Sequence, residues 1–284
     1  MSTLQNKIDF AVIIGVKNAN PNGDPLNGNR PRTNYEGHGE ISDVCIKRKI
    51  RDRLMEVKEN DTYKYKVFVQ SDDRKLDDAT SLKDRAEKAL GKDLGGNDLI
   101  VKACNTWVDV RTFGQLFAFK KNKKDDDSGN DANGVSVSIR GPVSIQHAFS
   151  VDPVSLTSTQ ITKSVNSEDT KEGKRGSDTM GMKHRVDNGV YVFFGSMNPQ
   201  LAQRTKFSDE DAEIIKQTLP RLFENDASSA RPEGSMQILK VLWWEQKSVK
   251  YSSAKVHGSL KVNSDGTYEL SGLNDLKPEQ INGF

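Results

Sequence analysis

Apolar residues take alternate positions near the start of the chain (Ile8, Phe10, Val12, Ile14), and the intervening Ala11 and Ile13 are apolar too. A two-residue period with both faces apolar predicts a strand inside a sheet. The period changes at Ser42. Beyond it Ile46, Ile50, Leu54 and Val57 recur at spacings of four and three, one buried helical stripe with Ser42 as N-cap. Shorter signals predict a strand over 67–70, helices over 81–90 and 98–105, strands over 135–139 and 143–151, and a strongly β-prone run over 190–194. Ser208, followed by three acids, starts another helix with the stripe Ala212, Ile215, Leu219 and Leu222, which Pro220 kinks. Residues 236–244 are apolar except Gln237 and Lys240, as expected of a buried strand. The order strand, helix, strand, helices, strands, helix, strand predicts an α+β fold with helices packed on one face.

Three stretches carry no core pattern. Residues 18–34 mix prolines, glycines and asparagines with Arg30 and Arg32, so turn formers sit beside phosphate donors and side-chain amides. Their composition suits either a solvated loop or a shaped loop that grips phosphate. Residues 120–134 are low complexity with cancelling charges and predict a mobile surface loop. Residues 157–180 are polar and lie between strand-like segments. Two arms of about 12 residues would project ~35–40 Å from the body, either into water or onto a partner.

The 284 residues suffice for one large domain, and a mean hydropathy of -0.69 predicts a wide wetted surface. With 42 basic and 40 acidic residues the net charge is only +2, so an argument for nucleic acid must rest on how charge is distributed. Cys45 and Cys104 lack metal-ligand spacing and fall in apolar helical patterns, which predicts buried free thiols in a reducing compartment. No apolar run approaches the ~20 residues that span a bilayer, so a cytoplasmic protein without a membrane partner is expected.

The sequence has no phosphate-binding loop in a strand-to-helix setting, no dinucleotide fingerprint, no His-Glu-x-x-His and no Gly-x-Ser-x-Gly. Its four histidines (His38, His147, His184, His257) are not spaced for metal, and no cofactor is expected. Asp24 and Asp43 are the candidates for Mg²⁺-dependent phosphoryl chemistry, but a turn role for Asp24 and a helix-start role for Asp43 explain them better. Basic residues are better organised. Arg30 and Arg32 occupy the loop, Lys47, Arg48 and Arg51 the helix after it, and Lys163, Lys171, Lys174, Arg175, Lys183 and Arg185 the polar hairpin. Acids interspersed along the hairpin also fit a plain solvated face. Beside its lysines lie Thr179, Met180, Gly181 and Met182, and a turn at 109–114 sets Arg111 beside Phe113. Phosphate donors, amides, hydroxyls and apolar wedges together suit single-stranded RNA.

Four motifs occur in order: Asn20-Pro-Asn-Gly-Asp-Pro25 with Asn29-Arg-Pro-Arg32; Arg111-Thr-Phe-Gly114; Gly141-Pro-Val-Ser-Ile-Gln-His-Ala-Phe-Ser-Val-Asp-Pro153; and Asp178-Thr-Met-Gly-Met-Lys-His-Arg185. As a set, across roughly residues 8 to 245, they resemble the backbone subunit of CRISPR Cascade surveillance complexes, the Cas-seven family of the RAMP superfamily, and most closely its type I-C branch. The resemblance implies a modified RRM-like (ferredoxin-like) palm over 1–59, 135–156 and 181–284, a helical fingers insertion over 60–134 and a β-hairpin thumb over 157–180. It implies antiviral defence by copies that polymerise head to tail along CRISPR RNA into a helical filament. Thumbs would displace bases at intervals, and the remaining guide bases would pair with a target DNA strand. Cap, large and small Cascade subunits would be further partners. It implies RNA contacts by Asn20, Arg30, Arg32, Lys47, Arg48, Arg51, Arg111, Phe113, Gln146, His147, Ser150, Lys163, Lys174, Arg175, Thr179, Met180, Met182, His184 and Arg185. Type I members are scaffolds rather than enzymes. The rival expectation is a Mg²⁺-dependent ribonuclease of the same superfamily using Asp24 or Asp43. Aromatics of the usual RRM type are not evident, so standard RRM base stacking is not expected.

Overall fold

The computed structural model describes residues 2–91, 96–119, 135–162 and 180–284. The low-complexity segment 120–134 lies outside the described residues, as do Lys163, Lys171, Lys174, Arg175 and Thr179.

One antiparallel sheet organises the chain. Its central strand is β1 (Lys7–Ala19), followed by β2 (His38–Ile41), α1 (Asp43–Glu56), α2 (Leu82–Leu90), α3 (Gly96–Thr106) and α4 (Val108–Phe113). Next come β3 (Gly114–Phe119), β4 (Val135–Arg140), β5 (Val143–Ile145), β6 (Ala148–Pro153), β7 (Leu156–Thr162) and β8 (Met180–Met197). The chain continues through α5 (Pro199–Thr205), α6 (Asp209–Thr218), β9 (Met236–Gln246), α7 (Ser253–His257), β10 (Leu260–Val262), β11 (Tyr268–Leu270) and β12 (Glu279–Asn282). The strand order is β12-β9-β1-β8-β6-β2, and β5 and β7 also pair with β8. No helix among the described residues is long and apolar enough to cross a membrane.

The alternation in β1 sets the layers. Ile8, Phe10, Val12, Ile14 and Val16 face a core shared with Ile46, Ile50 and Leu54 of α1 and Ala212 and Ile215 of α6. Ala11 faces the other way, against Leu242, Trp244, Val256 and Leu260. The second apolar face of β1 and β9 is therefore explained by the C-terminal segment, in which α7, β10 and β11 cover the outer side of the sheet. Fully burying a side chain such as Phe10 contributes about 2–3 kcal/mol. An extra residue in β9, where the register slips opposite Ile13 and Ile14, keeps both Ile238 and Val241 on the inner face. Glycine is required at 195, because a Cβ there would lie 2.2 Å from Cζ of Phe10.

A second core lies within residues 67–139. Phe68, Leu99, Ala103, Cys104, Trp107, Val110, Phe117 and Ile139 pack together, with the Phe68 and Trp107 ring centroids 4.6 Å apart. Burial raises the Cys104 thiol pKa to about 11, and Cys45 in α1 is a half-buried free thiol, also raised by burial.

The structure corrects three local expectations. Residues 67–70 are not a strand. The Phe68 and Val69 N–H groups donate to the carboxylate of Asp109 at 2.7 and 3.1 Å, so a side chain takes the donors a neighbouring strand would use. Residues 109–114 do not form a turn: most belong to α4. Pro220 does not kink a longer helix, since α6 ends at Thr218 and a 3₁₀ turn over Leu219–Arg221 follows. The β-prone run at 190–194 is the inner part of an 18-residue strand.

Asp109 joins the two cores, because Arg51 of α1 donates to it at 2.9 Å and the carboxylate is 1% exposed. Asp109→Ala would leave a nearly buried guanidinium, one buried amide and one half-buried amide unpaired, at a cost of about 3–5 kcal/mol. Asp73→Ala, which removes an exposed partner of Arg48, should cost at most about 0.5 kcal/mol. Urea midpoints of the two variants check both values, and equal midpoints would contradict the role given to Asp109.

Candidate nucleic-acid interface

Five segments meet at the β2 edge of the sheet: the loop after β1, β2, the start of α1, β6 and the root of the β7–β8 hairpin. Asn18, next to last in β1, has a left-handed backbone (φ 54), and the loop begins after Ala19. Asn20, 3% exposed, ties the loop to itself by donating to the Asn29 carbonyl at 2.7 Å. Asn22 accepts from the Ser42 N–H and hydroxyl, both at 2.9 Å, and so anchors the loop on the N-cap of α1. Asp24 accepts from the Leu26 N–H at 3.2 Å and pairs with Arg32 at 3.2 Å, the behaviour of a turn residue. Arg30 projects from the same loop, exposed, and no carboxylate among the described residues pairs with it.

Most of the expected phosphate donors already hold a carboxylate. Lys47 meets Asp43 at 2.8 Å, Arg48 meets Asp73 at 3.1 Å, and Arg185 meets Asp187 at 3.2 Å. These three pairs are at least partly open to solvent, where an ion pair is worth little and a phosphate can compete. Arg51 and Arg111 differ. Arg51 is nearly buried on Asp109, and Arg111 makes a two-pronged pair with Asp211 at 2.9 and 2.7 Å that clamps α4 to the start of α6. Asp211 also closes the capping box with Ser208. Phe113, half-buried, has Lys47 and Arg51 over its ring at 5.9 and 5.2 Å. The expectation that Arg51 and Arg111 face nucleic acid meets a physical obstacle: moving either guanidinium would strand a buried carboxylate.

Ser150 is likewise turned inward. At 4% exposure its hydroxyl accepts from the Gly39 N–H at 2.8 Å and donates to the Asp152 carbonyl at 2.5 Å, fastening β2 to β6. Gln146 is exposed, and its N–H donates to the Phe194 carbonyl. His147 is exposed and has a carboxylate on each ring nitrogen: Glu40 Oε1 lies 2.7 Å from Nδ1, and Asp43 Oδ1 lies 3.2 Å from Nε2. Neither nitrogen is open to a substrate, so the ring acts as a clasp. Asp43 is thus shared by His147 and Lys47. Burial pushes its carboxyl pKa up, but the Lys47 hydrogen bond and charge, with His147 alongside, outweigh this and hold it below the usual aspartate value. Among the described residues no three His, Cys, Asp or Glu side chains are placed to hold a metal ion together.

The hairpin sorts its residues by face. Directly opposed pairs share a side, so Met180, Met182 and His184 lie with Thr162, Gln160 and Ser158, while Lys183 and Arg185 lie on the reverse with Thr159 and Thr157. Met180 and Met182 are 71% and 53% exposed, whereas His184 is 8% exposed and bonded to the Ser158 hydroxyl at 2.7 Å. His184 therefore braces the hairpin root. Sequence reasoning missed Phe149, whose ring is 40% exposed and stacks with His147 at 6.3 Å. Its spacing of two from His147 on a predicted strand was the available signal. It also missed Glu40, whose role depends on β2 pairing with β6.

This edge offers exposed cations, amides, two thioethers and an aromatic pair around shaped backbone, a set suited to a polyanion with planar groups. A family model described as CRISPR-associated protein Cas7 matches residues 6–280. A protein of the same description from Haloferax volcanii is 28% identical over 97% of this chain and 81% of its own length. Among solved structures, a pre-nicking CRISPR RNA-guided surveillance complex contains a chain with 16% identity and a TM-score of 0.47, covering 84% of this chain and 75% of that one. A second CRISPR RNA-guided surveillance complex gives 18%, 0.46, 92% and 77%.

The division between inward and outward cations is measurable without a ligand. Arg111→Ala should cost about 2–3 kcal/mol, less than a wholly buried pair because the guanidinium keeps some solvent. Arg30→Ala should change stability by at most about 0.5 kcal/mol. Thermal unfolding of both variants checks this, and a larger loss for Arg30→Ala would reverse the assignment.

Proposed function

The chain belongs to the CRISPR-associated Cas7 family, and from that premise we propose that it is a non-catalytic backbone subunit that binds CRISPR RNA within a type I-C Cascade complex. Copies stack head to tail along the guide and leave bases free to pair with a target DNA strand in antiviral defence, alongside cap, large and small subunits in the cytoplasm. The protein supplies geometry and charge, and guide pairing supplies sequence specificity.

The observation that carries this reading is the composition of the β2 edge. Arg30, Lys47, Arg48 and Arg185 provide phosphate contacts of solvent-open type, and Gln146, His147 and Phe149 sit between them. The exposed methionines of the hairpin supply an apolar wedge of the kind a thumb needs. The order β9-β1-β8-β6 with α1 and α6 on one face supports an RRM-like palm, and the separate core within 67–139 supports a fingers insertion. The outer face of the central strands, where a standard RRM stacks bases, is filled by Trp244, Val256 and Leu260, so RNA is assigned to the sheet edge instead. Asp24 and Asp43 are each held by their own cations, and no observation favours the ribonuclease reading.

Titration with single-stranded RNA of increasing length tests the proposal. Bound copies should rise with length, and affinity should fall steeply with salt, whatever the sequence. Arg30→Ala and Lys183→Ala should each weaken binding and reduce the salt slope by about one. RNA should survive incubation with Mg²⁺. A protein that stays monomeric and RNA-free at low salt would overturn the reading, and Mg²⁺-dependent cleavage lost in Asp24→Ala or Asp43→Ala would replace it with the nuclease.

A further inference from the structure

Four ionisable side chains form a chain at the mouth of this edge. Glu40 of β2 meets His147, His147 meets Asp43, and Asp43 meets Lys47 one helical turn along α1. The two oxygens of Asp43 are divided, Oδ1 to His147 and Oδ2 to Lys47. Lys47 is therefore a cation at the candidate interface that is masked by a carboxylate with a second place to go.

We infer that Asp43 is an internal competitor for phosphate, and that His147 receives its carboxylate when nucleic acid takes Lys47. The inference rests on the reading that this edge holds RNA. When phosphate displaces Asp43 from Lys47, the carboxylate loses a charge-assisted hydrogen bond and needs another. An imidazolium donates from both nitrogens and satisfies Glu40 and Asp43 together. A neutral ring donates from one only, leaving the other carboxylate against a nitrogen lone pair. Nε2, already 3.2 Å from Asp43 Oδ1, is thus placed to hold the carboxylate once Lys47 is taken. The charged groups facing the ring are Glu40 from β2 and Asp43 from α1, with Lys47 behind Asp43; Phe149, two residues along, adds an uncharged ring. With its carboxyl pKa held below the usual aspartate value, Asp43 is an anion, and so a competitor, at neutral pH.

Because Asp43 is a positioning residue, its contribution separates from a general charge effect in a double-mutant cycle. Asp43→Asn should bind a single-stranded RNA oligomer about three- to tenfold more tightly than wild type near neutral pH, as expected for unmasking one phosphate contact. In the Lys47→Met background the same change should do nothing more than its added charge. His147→Ala, which removes the group that receives Asp43, should weaken RNA binding, and that loss should vanish in the Asp43→Asn background. Ser42 still caps α1 in Asp43→Asn, and circular dichroism checks that the helix persists. The same series with inorganic polyphosphate as probe separates the two claims. Polyphosphate binding with the Lys47-dependent gain, but no RNA binding, would uphold the competitor and sink the RNA reading. RNA binding with an Asp43 effect independent of Lys47, or a His147→Ala loss that persists in Asp43→Asn, would sink the competitor and leave the RNA reading standing.

Discussion

The pairing of β1 with β8 runs in one register from Ile8↔Met197 to Ala19↔Val186, and the rest of the molecule depends on it. This pairing places Phe10 across from Gly195, where only a glycine makes room for the ring. It commits the even residues of β1 to the helices and Ala11 to the C-terminal cover. A slip of one residue would exchange those faces. The outer part of β8 runs beyond β1 and pairs with β7, so these two strands continue the central sheet. At the same place β1 ends at Ala19, opposite Val186, and passes into the loop that carries Arg30. Loop and hairpin root are neighbours because two ends of one strand pair are neighbours.

Charge is distributed by burial. The nearly cancelling total arises because cation after cation has an acid beside it. Where the pair is buried, as with Arg51 and Asp109 or Arg111 and Asp211, separating the partners would cost several kcal/mol, and the pair serves to join elements. Where it is open, as with Lys47 and Asp43 or Arg48 and Asp73, the pair is worth about as much as its replacement by phosphate. The same residue types on one helix thus divide into struts and contacts. The helical period does not make the division, since Lys47 and Arg51 lie one turn apart and both face Phe113; the burial of the partner does, Asp109 being enclosed and Asp43 open.

The covering of the outer sheet face has a similar consequence. His257 of α7 donates to the Gly195 carbonyl at 3.1 Å and lies on Phe194 at 4.8 Å, and burial pushes its pKa down. Asp9, 3.7 Å away, pulls the other way without outweighing burial. With this face covered by α7, β10 and β11, the RNA site is proposed at the β2 edge and the hairpin root.

Alternation and helical period by themselves determined the central strand, α1 with its Ser42 cap, the start of α6 and the apolar β9, because these signals are local and repeat along the chain. The motifs carrying the family resemblance were equally legible, since turn formers and cations adjacent in sequence stay adjacent in space. Only the tertiary structure decided which cations face outward. Asp109 and Asp211 lie 58 and 100 residues from the arginines they hold, and no local pattern links them. The same holds for the clasp of Glu40, His147 and Asp43, with His147 separated from Glu40 by 107 residues and brought to it by the pairing of β6 with β2. Periodicity reports which face of an element is buried, whereas an ion pair requires two elements to be placed against each other, and that placement exists only once the sheet has formed.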